Sequence, residues 1–472
     1  MRRRKLHISL AALLIGTSHC IPHARAQVTI SLPEANIQGR TDYIQSFTGG
    51  QYSFTLLALL PTISTKAINN TSFVSTTGGG TVPLNVAHLK LEKINNLSLL
   101  GSSNDVTLST ADQVLISALA TVSLSAGPVI INSRFVTANQ TWVSGIYKTT
   151  LSLTASGILG GTITPPSQDL SISVPAFISP PASIGTTSML VNDLSYYRAA
   201  NGISSNTVIP LSTTVPYIPS IKTGNTQFSF STIATYNALP VTSVSTVNTT
   251  LTGITNTTAV ALSTTDQSLT NTAGIAVPTN NSQSLTYTYS IGLNQLKTNF
   301  IQAGTYSVPL TYTWNKLSSA YPSGSLLAQS NGNLAVVVSD LAEIIANQQA
   351  VNLSFTTAND YKNGVNVNMS NHLKLSATSS YNLYVRATSA SFTSGANSIP
   401  LNVLRIGPMA GQSGMNTVTL STTAQQLIQN ADPVIDRNLN ILYSIPASAT
   451  GTLLNKPAGA YTTNIIFSFV AP

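Results

Sequence analysis

The sequence predicts an all-β chain made of three copies of one unit of short antiparallel strands, preceded by a secretory signal peptide. Three observations carry this. Charged residues make up only 7% of the 472, against roughly 25% in an average globular chain. Ser, Thr and Asn take their place, and β-branched Thr fits a pleat while Asn and Gly fit turns. Apolar residues also alternate at period two, as in "YNLYVRA" from Tyr381 and "LTYTW" from Leu310, the pattern of a strand with one buried face. Finally, a set of sequence markers recurs three times in one order, the sign of a repeated unit.

The chain begins "MRRRKLHISLAALLIGTSHCIPHARAQVTI". A basic start, a short apolar run and the small-x-small site Ala24-Arg25-Ala26 read as a signal peptide, residues 1–26, cut before Gln27. The segment holds five of the 21 basic residues, so the mature chain keeps 16 against 13 acidic, close to +3 in place of +8. That balance offers no basic patch for nucleic acid. The one cysteine, Cys20, lies in the same segment. The mature chain is expected to hold together by burial and sheet hydrogen bonds, without disulfides or thiolate chemistry. No later apolar run is long enough to span a bilayer as a helix.

The markers follow. "SFVSTTGGGTVPLNV" from Ser72 corresponds to "SFTSGANSIPLNV" from Ser391, with the weaker "YNALPVTSV" around Pro240. A second marker is "VTLSTADQVLI" from Val106, "VALSTTDQSLT" from Val260 and "VTLSTTAQQLI" from Val418. A third is "SGIYKTTLSLT" from Ser144, "AGTYSVPLTYT" from Ala303 and "AGAYTTNIIFS" from Ala458. The serine of the second marker stands 36, 41 and 38 residues before the glycine of the third (Ser109 to Gly145, Ser263 to Gly304, Ser421 to Gly459). Each copy is expected to open with an alternating strand, at Val28 to Leu32, Leu170 to Val174 and Leu334 to Val338. Such a strand can complete its own domain or add to a neighbour by β-augmentation. Pro-, Gly- and Ser-rich joints at Gly157 to Asp169 and Ser318 to Asn333 punctuate the chain. The expected division is therefore 27–157, 158–325 and 326–472.

The second marker carries Thr-x-x-Gln in every copy: Thr110 with Gln113, Thr264 with Gln267, Thr422 with Gln425. That is a capping-box spacing and predicts a short helical turn. A ligand loop around Asp112 and Asp266 is the alternative, but Ala424 stands at that place in the third copy.

Catalytic chemistry finds no support. The mature chain has two histidines, His88 and His372, in different copies and without a second ligand at metal spacing. Each is expected at a surface or an edge strand. No nucleophile elbow, phosphate loop or His-Glu-x-x-His is present. The close acid pairs, Asp432 with Asp436 and Asp340 with Glu343, read as turn and cap residues rather than glycosidase carboxylates. "GGG" at Gly78 to Gly80 reads as a hairpin tip. No catalytic, cofactor-binding or metal-ligating residue is assigned, and no cofactor is expected.

The third marker carries a family resemblance. Gly-x-Tyr followed by alternating apolar residues resembles the last strand of secreted bacterial pilin-like domains, the chaperone–usher fimbrial subunits and the spore-coat-protein-U-like domains. Gly459 is the fourteenth residue from the end, the place of a glycine in usher-type subunits, and Tyr461 matches the "GTY" ending of the coat-U-like group. Ala471 stands where usher-type subunits carry a penultimate tyrosine, and the disulfide of many such subunits has no counterpart. The resemblance implies an immunoglobulin-like fold, hence three tandem Ig-like antiparallel β-sandwich domains after the signal peptide. It implies an exported, non-enzymatic structural or adhesive protein of the bacterial cell surface. Its partners would be other surface proteins or further copies joined by strand addition, with a periplasmic chaperone and an outer-membrane usher, and glycans as a ligand class. Two alternatives remain open at this point: an outer-membrane β-barrel closing at Phe469, and a secreted carbohydrate-binding protein.

Overall fold

The computed structural model describes residues 27–54, 62–117, 126–157 and 161–470. The expected signal peptide lies outside the described residues. The protein is all-β, and the helices among the described residues are short turns between strands. It divides into two compact units, one ending at Pro175 and one beginning at Ala176.

In the first unit, strands β1 (Gln27–Ser31), β2 (Thr62–Ile68), β3 (Gln113–Ile116), β4 (Gly145–Ser156) and β5 (Ser167–Val174) form one sheet in the order β1-β5-β4-β2-β3. A second sheet is built on Tyr43–Ser53, Gly127–Phe135 and Ala87–Ile94. Alternation explains both. Tyr147, Leu151 and Leu153 of β4 are buried, as are Leu89 and Leu91, and Val129, Ile131 and Phe135 of the other sheet.

The second unit holds two separate hydrophobic cores. Around the first lie β6 (Ser183–Val191), β7 (Tyr217–Thr223), β8 (Gly304–Lys316) and β9 (Leu327–Val338), in the order β6-β9-β8-β7. A facing sheet runs through Ile203–Thr213, Ser282–Ile291 and Asn248–Thr252. Aromatic residues fill the space between the sheets: Tyr287, Tyr312 and Trp314 are fully buried, and the rings of Tyr287 and Tyr312 meet edge to face at 5.0 Å. Around the second core lie β10 (Tyr381–Ala387), β11 (Gln425–Ala431) and β12 (Ile465–Val470), in the order β11-β10-β12. The facing sheet contains Ala342–Ala346, Gly364–Ala377, Val434–Pro446 and Arg405–Pro408. Between the two sandwiches, Arg198 bonds Glu343 at 2.5 Å and Asp436 at 2.9 Å; within the second, Lys374 meets Asp436 at 3.0 Å.

Two expectations need correction here. The sheets of the described residues are open, with apolar faces turned inward against a partner sheet. A membrane barrel closes on itself and turns its apolar band outward, so the barrel alternative fails. The second marker forms no helical turn. Ser109 Oγ accepts the Ala111 N–H at 3.3 Å and Gln113 Nε2 at 2.9 Å, and Ser263 and Ser421 accept the N–H two residues on in the same way. A serine that bonds its local backbone competes with a helix, and each turn runs straight into a strand beginning at or next to the glutamine. Of the two placements open to the strands at Leu170 to Val174 and Leu334 to Val338, the structure has the second: each lies in the sheet of the sandwich before it. β5 is hydrogen-bonded to β1 and β4, and β9 to β6 and β8.

Candidate functional site: an uncompleted sheet edge

The placement of β5 and β9 defines what a finished sheet looks like in this chain. β5 runs parallel to β1, with Val28 opposite Leu170 and Ile30 opposite Ile172. It runs antiparallel to β4, from Gly145 opposite Val174 to Ser152 opposite Ser167. β9 repeats this: parallel to β6, with Met189 opposite Val336, and antiparallel to β8, from Gly304 opposite Val338 to Asn315 opposite Leu327. The inward residues Leu170, Ile172 and Val174, and Leu334, Val336 and Val338, are buried in the two cores. In both cases the inserted strand satisfies the backbone edges of two neighbours and seals the core beneath them.

The second sandwich of unit 2 departs from this pattern. Counting from the marker glycines, β12 stands where β4 and β8 stand. Ile466 pairs with Arg386 as Ser152 pairs with Lys66 and Thr311 with Lys222. Among the described residues, however, β12 pairs along its length only with β10. The segment that corresponds to β6, residues 350–356, belongs to no sheet. Its side chains still alternate, and Val351, Leu353 and Phe355 rest half-buried against the core.

The exposure of matched positions measures the gap. Leu310 and Tyr312 of β8 are 1% and 0% exposed. Their counterparts Ile465 and Phe467 are only half-buried, as is Phe469. Met189 and Val191 of β6 are 2% and 0% exposed, whereas Leu353 and Phe355 are half-buried. Two rows of apolar side chains, from residues 351–355 and 465–469, thus stay half-buried where their counterparts are sealed by the inserted strand. The marker glycines report the same difference. Gly304 has φ 147° and is paired with Val338; a Cβ there would come within 2.5 Å of Ser231 O. Gly145 has φ 152°. Gly459, which is in no ladder among the described residues, precedes β12 and does not take a positive φ.

Beneath Phe467 lies His372, 3% exposed and not at the surface as expected. Its Nε2 is 2.9 Å from Tyr443 Oη, its Nδ1 is 3.1 Å from Gln348 Oε1, and its ring meets Phe467 edge-on at 6.2 Å. Burial holds its pKa below the ordinary histidine value, so the neutral ring is the stable form. His88, by contrast, is partly exposed, with Nδ1 3.8 Å from Asp105 Oδ1.

The other residues singled out in the sequence do not converge. Asp112 and Asp266 pair with Lys66 at 3.0 Å and Lys222 at 3.3 Å on the outer faces of their sheets. Asp432 accepts from Asn237 at 2.8 Å, and Asp340 from Ser379. Glu343 and Asp436 meet at Arg198. Burial opposes the Asp436 charge, but the bonds from Arg198 and Lys374 outweigh it and hold that carboxyl below its usual range. Gly78 and Gly80 sit in the tip between Ser72–Ser75 and Thr81–Pro83. Val351, Leu353 and Phe355 escaped the sequence reading, although "VNLSF" carries the same period-two signal as the other strands.

No family model matches the chain, and no curated protein matches it. Solved structures do. CfaE, the adhesive subunit of CFA/I fimbria of enterotoxigenic Escherichia coli, is 8% identical, covers 66% of this chain and 97% of its own, and gives a TM-score of 0.28. The CupB6 tip adhesin from Pseudomonas aeruginosa is 10% identical, over 63% of this chain and 91% of its own, with a TM-score of 0.27. A match to the CsuC–CsuE chaperone–tip adhesion subunit pre-assembly complex, from archaic chaperone–usher Csu pili of Acinetobacter baumannii, is 15% identical, over 62% and 99%, with a TM-score of 0.29. At TM-scores of this size the likeness carries no argument about function, which rests on the sheet edge.

Proposed function

We propose that the chain is an exported structural or adhesive protein of the bacterial cell surface, of fimbrial type, and that its last sandwich accepts a β-strand from a separate chain. The protein is read as three sandwiches, 27–175, 176–338 and 339–472. The first two are completed by the strand that follows them, β5 and β9. The third has the same frame, and among the described residues no strand occupies the matching place. The single observation that carries the reading is the vacant edge of β12 above the half-buried Ile465, Phe467 and Phe469.

The mechanism is β-augmentation. An incoming strand takes ladder hydrogen bonds from the free edge of β12 and sends alternate side chains into the core. β9 is the template. The incoming strand runs antiparallel to β12, with an aliphatic residue opposite Tyr461 where Val336 faces Tyr306 and one opposite Thr463 where Leu334 faces Val308. No group of this edge is assigned a catalytic role. Before assembly the open edge requires cover, which is the task of a periplasmic chaperone; an adjacent subunit then takes its place, with an usher as the exit. β1 is not such a strand for other chains while the first unit is intact, because it is paired residue by residue with β5.

The test attaches a copy of Leu327–Ser339 to the C-terminus of the full chain through a Gly/Ser linker, so that docking is intramolecular. Hydrogen exchange then reads the β12 amides. Strong new protection confined to β12 and residues 350–356 is expected. Unchanged exchange in β12 of a folded, soluble chain would refute the reading.

A further inference from the structure

The outer face of the same edge carries a charge that its counterparts do not leave open. In the first unit Lys66 of β2 lies opposite Ser152 of β4, and its Nζ is 3.0 Å from Asp112 Oδ2. In the first sandwich of unit 2, Lys222 of β7 lies opposite Thr311 of β8, and its Nζ is 3.3 Å from Asp266 Oδ2. Both acids stand three residues after the serine of the second marker. The third copy changes both members of the pair. Arg386 of β10 lies opposite Ile466 of β12, and Ala424 takes the acid's place. Arg386 is exposed and has no ion-pair partner among the described residues. Its neighbour Ile466 is 38% exposed and offers only hydrocarbon.

The register shows what lies beyond Ile466. In the completed sandwich the row continues across three strands: Lys222, Thr311, then Asn331 of β9, where Thr311 Oγ1 donates to Asn331 Oδ1 at 3.2 Å. The vacant strand position next to Ile466 is therefore the Asn331 position. Neighbouring strands lie about 4.8 Å apart, so that position is about 10 Å from the Arg386 backbone, within joint reach of an extended arginine and an acidic side chain across the aliphatic Ile466.

From this we infer that the strand accepted at β12 carries an acidic residue on its outer face opposite Ile466, and that Arg386 selects for it. The inference rests on the proposed strand acceptance and adds the charge of the partner. Inward aliphatic residues seat any such strand, while one outward carboxylate distinguishes the intended one from a strand bearing a basic residue there. The cation lacks its own acid in the copy whose closing strand has no second partner among the described residues, whereas the two completed copies keep theirs.

The experiment uses the full chain with the appended copy of Leu327–Ser339, in three versions: unaltered, Asn331→Glu in the copy, and Asn331→Lys in the copy. Hydrogen exchange of the β12 amides reads how often the strand leaves its seat. The Glu version is expected to be protected about two- to ten-fold more than the Lys version, a difference that shrinks in about 0.5 M salt. Arg386→Gln is expected to bring that ratio to about one, and Arg386→Glu to invert it. A ratio that Arg386→Gln leaves unchanged, with β12 protected in every version, overturns the charge inference and leaves strand acceptance standing. No protection of β12 in any version overturns both.

Discussion

Matched truncations on β8 and β12 separate a completed sheet from an open one. Leu310 and Ile465 occupy the same place relative to their marker glycines, but Leu310 is 1% exposed and Ile465 is half-buried. Leu310→Ala removes a side chain sealed under β9 and leaves a cavity, at about 2–5 kcal/mol. Ile465→Ala removes a side chain with one flank in water, so less apolar area returns to solvent and the remaining space opens to the uncovered edge. About 1 kcal/mol is expected, near half the transfer value of a fully buried isoleucine. Native-state hydrogen exchange, resolved by strand, reads the two sandwiches separately in one chain. Appending the Leu327–Ser339 copy should then raise the cost of Ile465→Ala to about 2–4 kcal/mol while leaving that of Leu310→Ala unchanged. Equal costs for the two truncations in the unextended chain would refute the claim that β12 borders a vacancy.

Further outcomes follow from the same geometry. Gly304→Ala should destabilise its sandwich by about 2 kcal/mol or more, because its φ and the nearby Ser231 carbonyl exclude a Cβ; Gly459→Ala should cost under about 1 kcal/mol by the same exchange measurement. His372 is neutral when folded, with its pKa below the ordinary value. The unfolded chain therefore binds more protons as pH falls below about 6.5, and the last sandwich should lose stability from there down to the folded pKa. In His372→Gln urea unfolding of that sandwich should show a flatter profile over this window. Arg198→Gln leaves Glu343 and Asp436 without their shared cation. The expected loss is about 1 kcal/mol at low ionic strength, shrinking with salt because the groups are about one-third exposed.

Much of the fold was legible because one physical signal, alternation at period two, marks each strand whatever it pairs with. Tyr381 to Ala387 and Leu310 to Trp314 are strands with the buried faces expected of them. Pairing was the illegible part. β5 and β9 follow the Pro- and Gly-rich joints, so chain order suggests the next domain, while hydrogen bonding assigns them to the previous one. Nothing in a strand's own alternation tells which edge it will fill. Thr-x-x-Gln misled because a serine one residue earlier bonds the backbone first. His372 misled because an irregularity between Met369 and Leu373, with Asn371 at φ 51°, shifts the phase of its strand and buries His372 and Leu373 in succession. The vacant edge itself follows from comparing three closing strands, two sealed and one not.

The central claim, that a strand seats antiparallel to β12 in the register of β9, is testable by a disulfide trap. From Gln27 onward the chain has no cysteine. Ser468 corresponds to Thr313, which faces Gln329 of β9. With Ser468→Cys in β12 and Gln329→Cys in the appended copy, oxidation should give an intramolecular crosslink in high yield, while Ser330→Cys in the copy, facing the core, should give little. Comparable crosslinking at both positions, or none at either, would contradict the account.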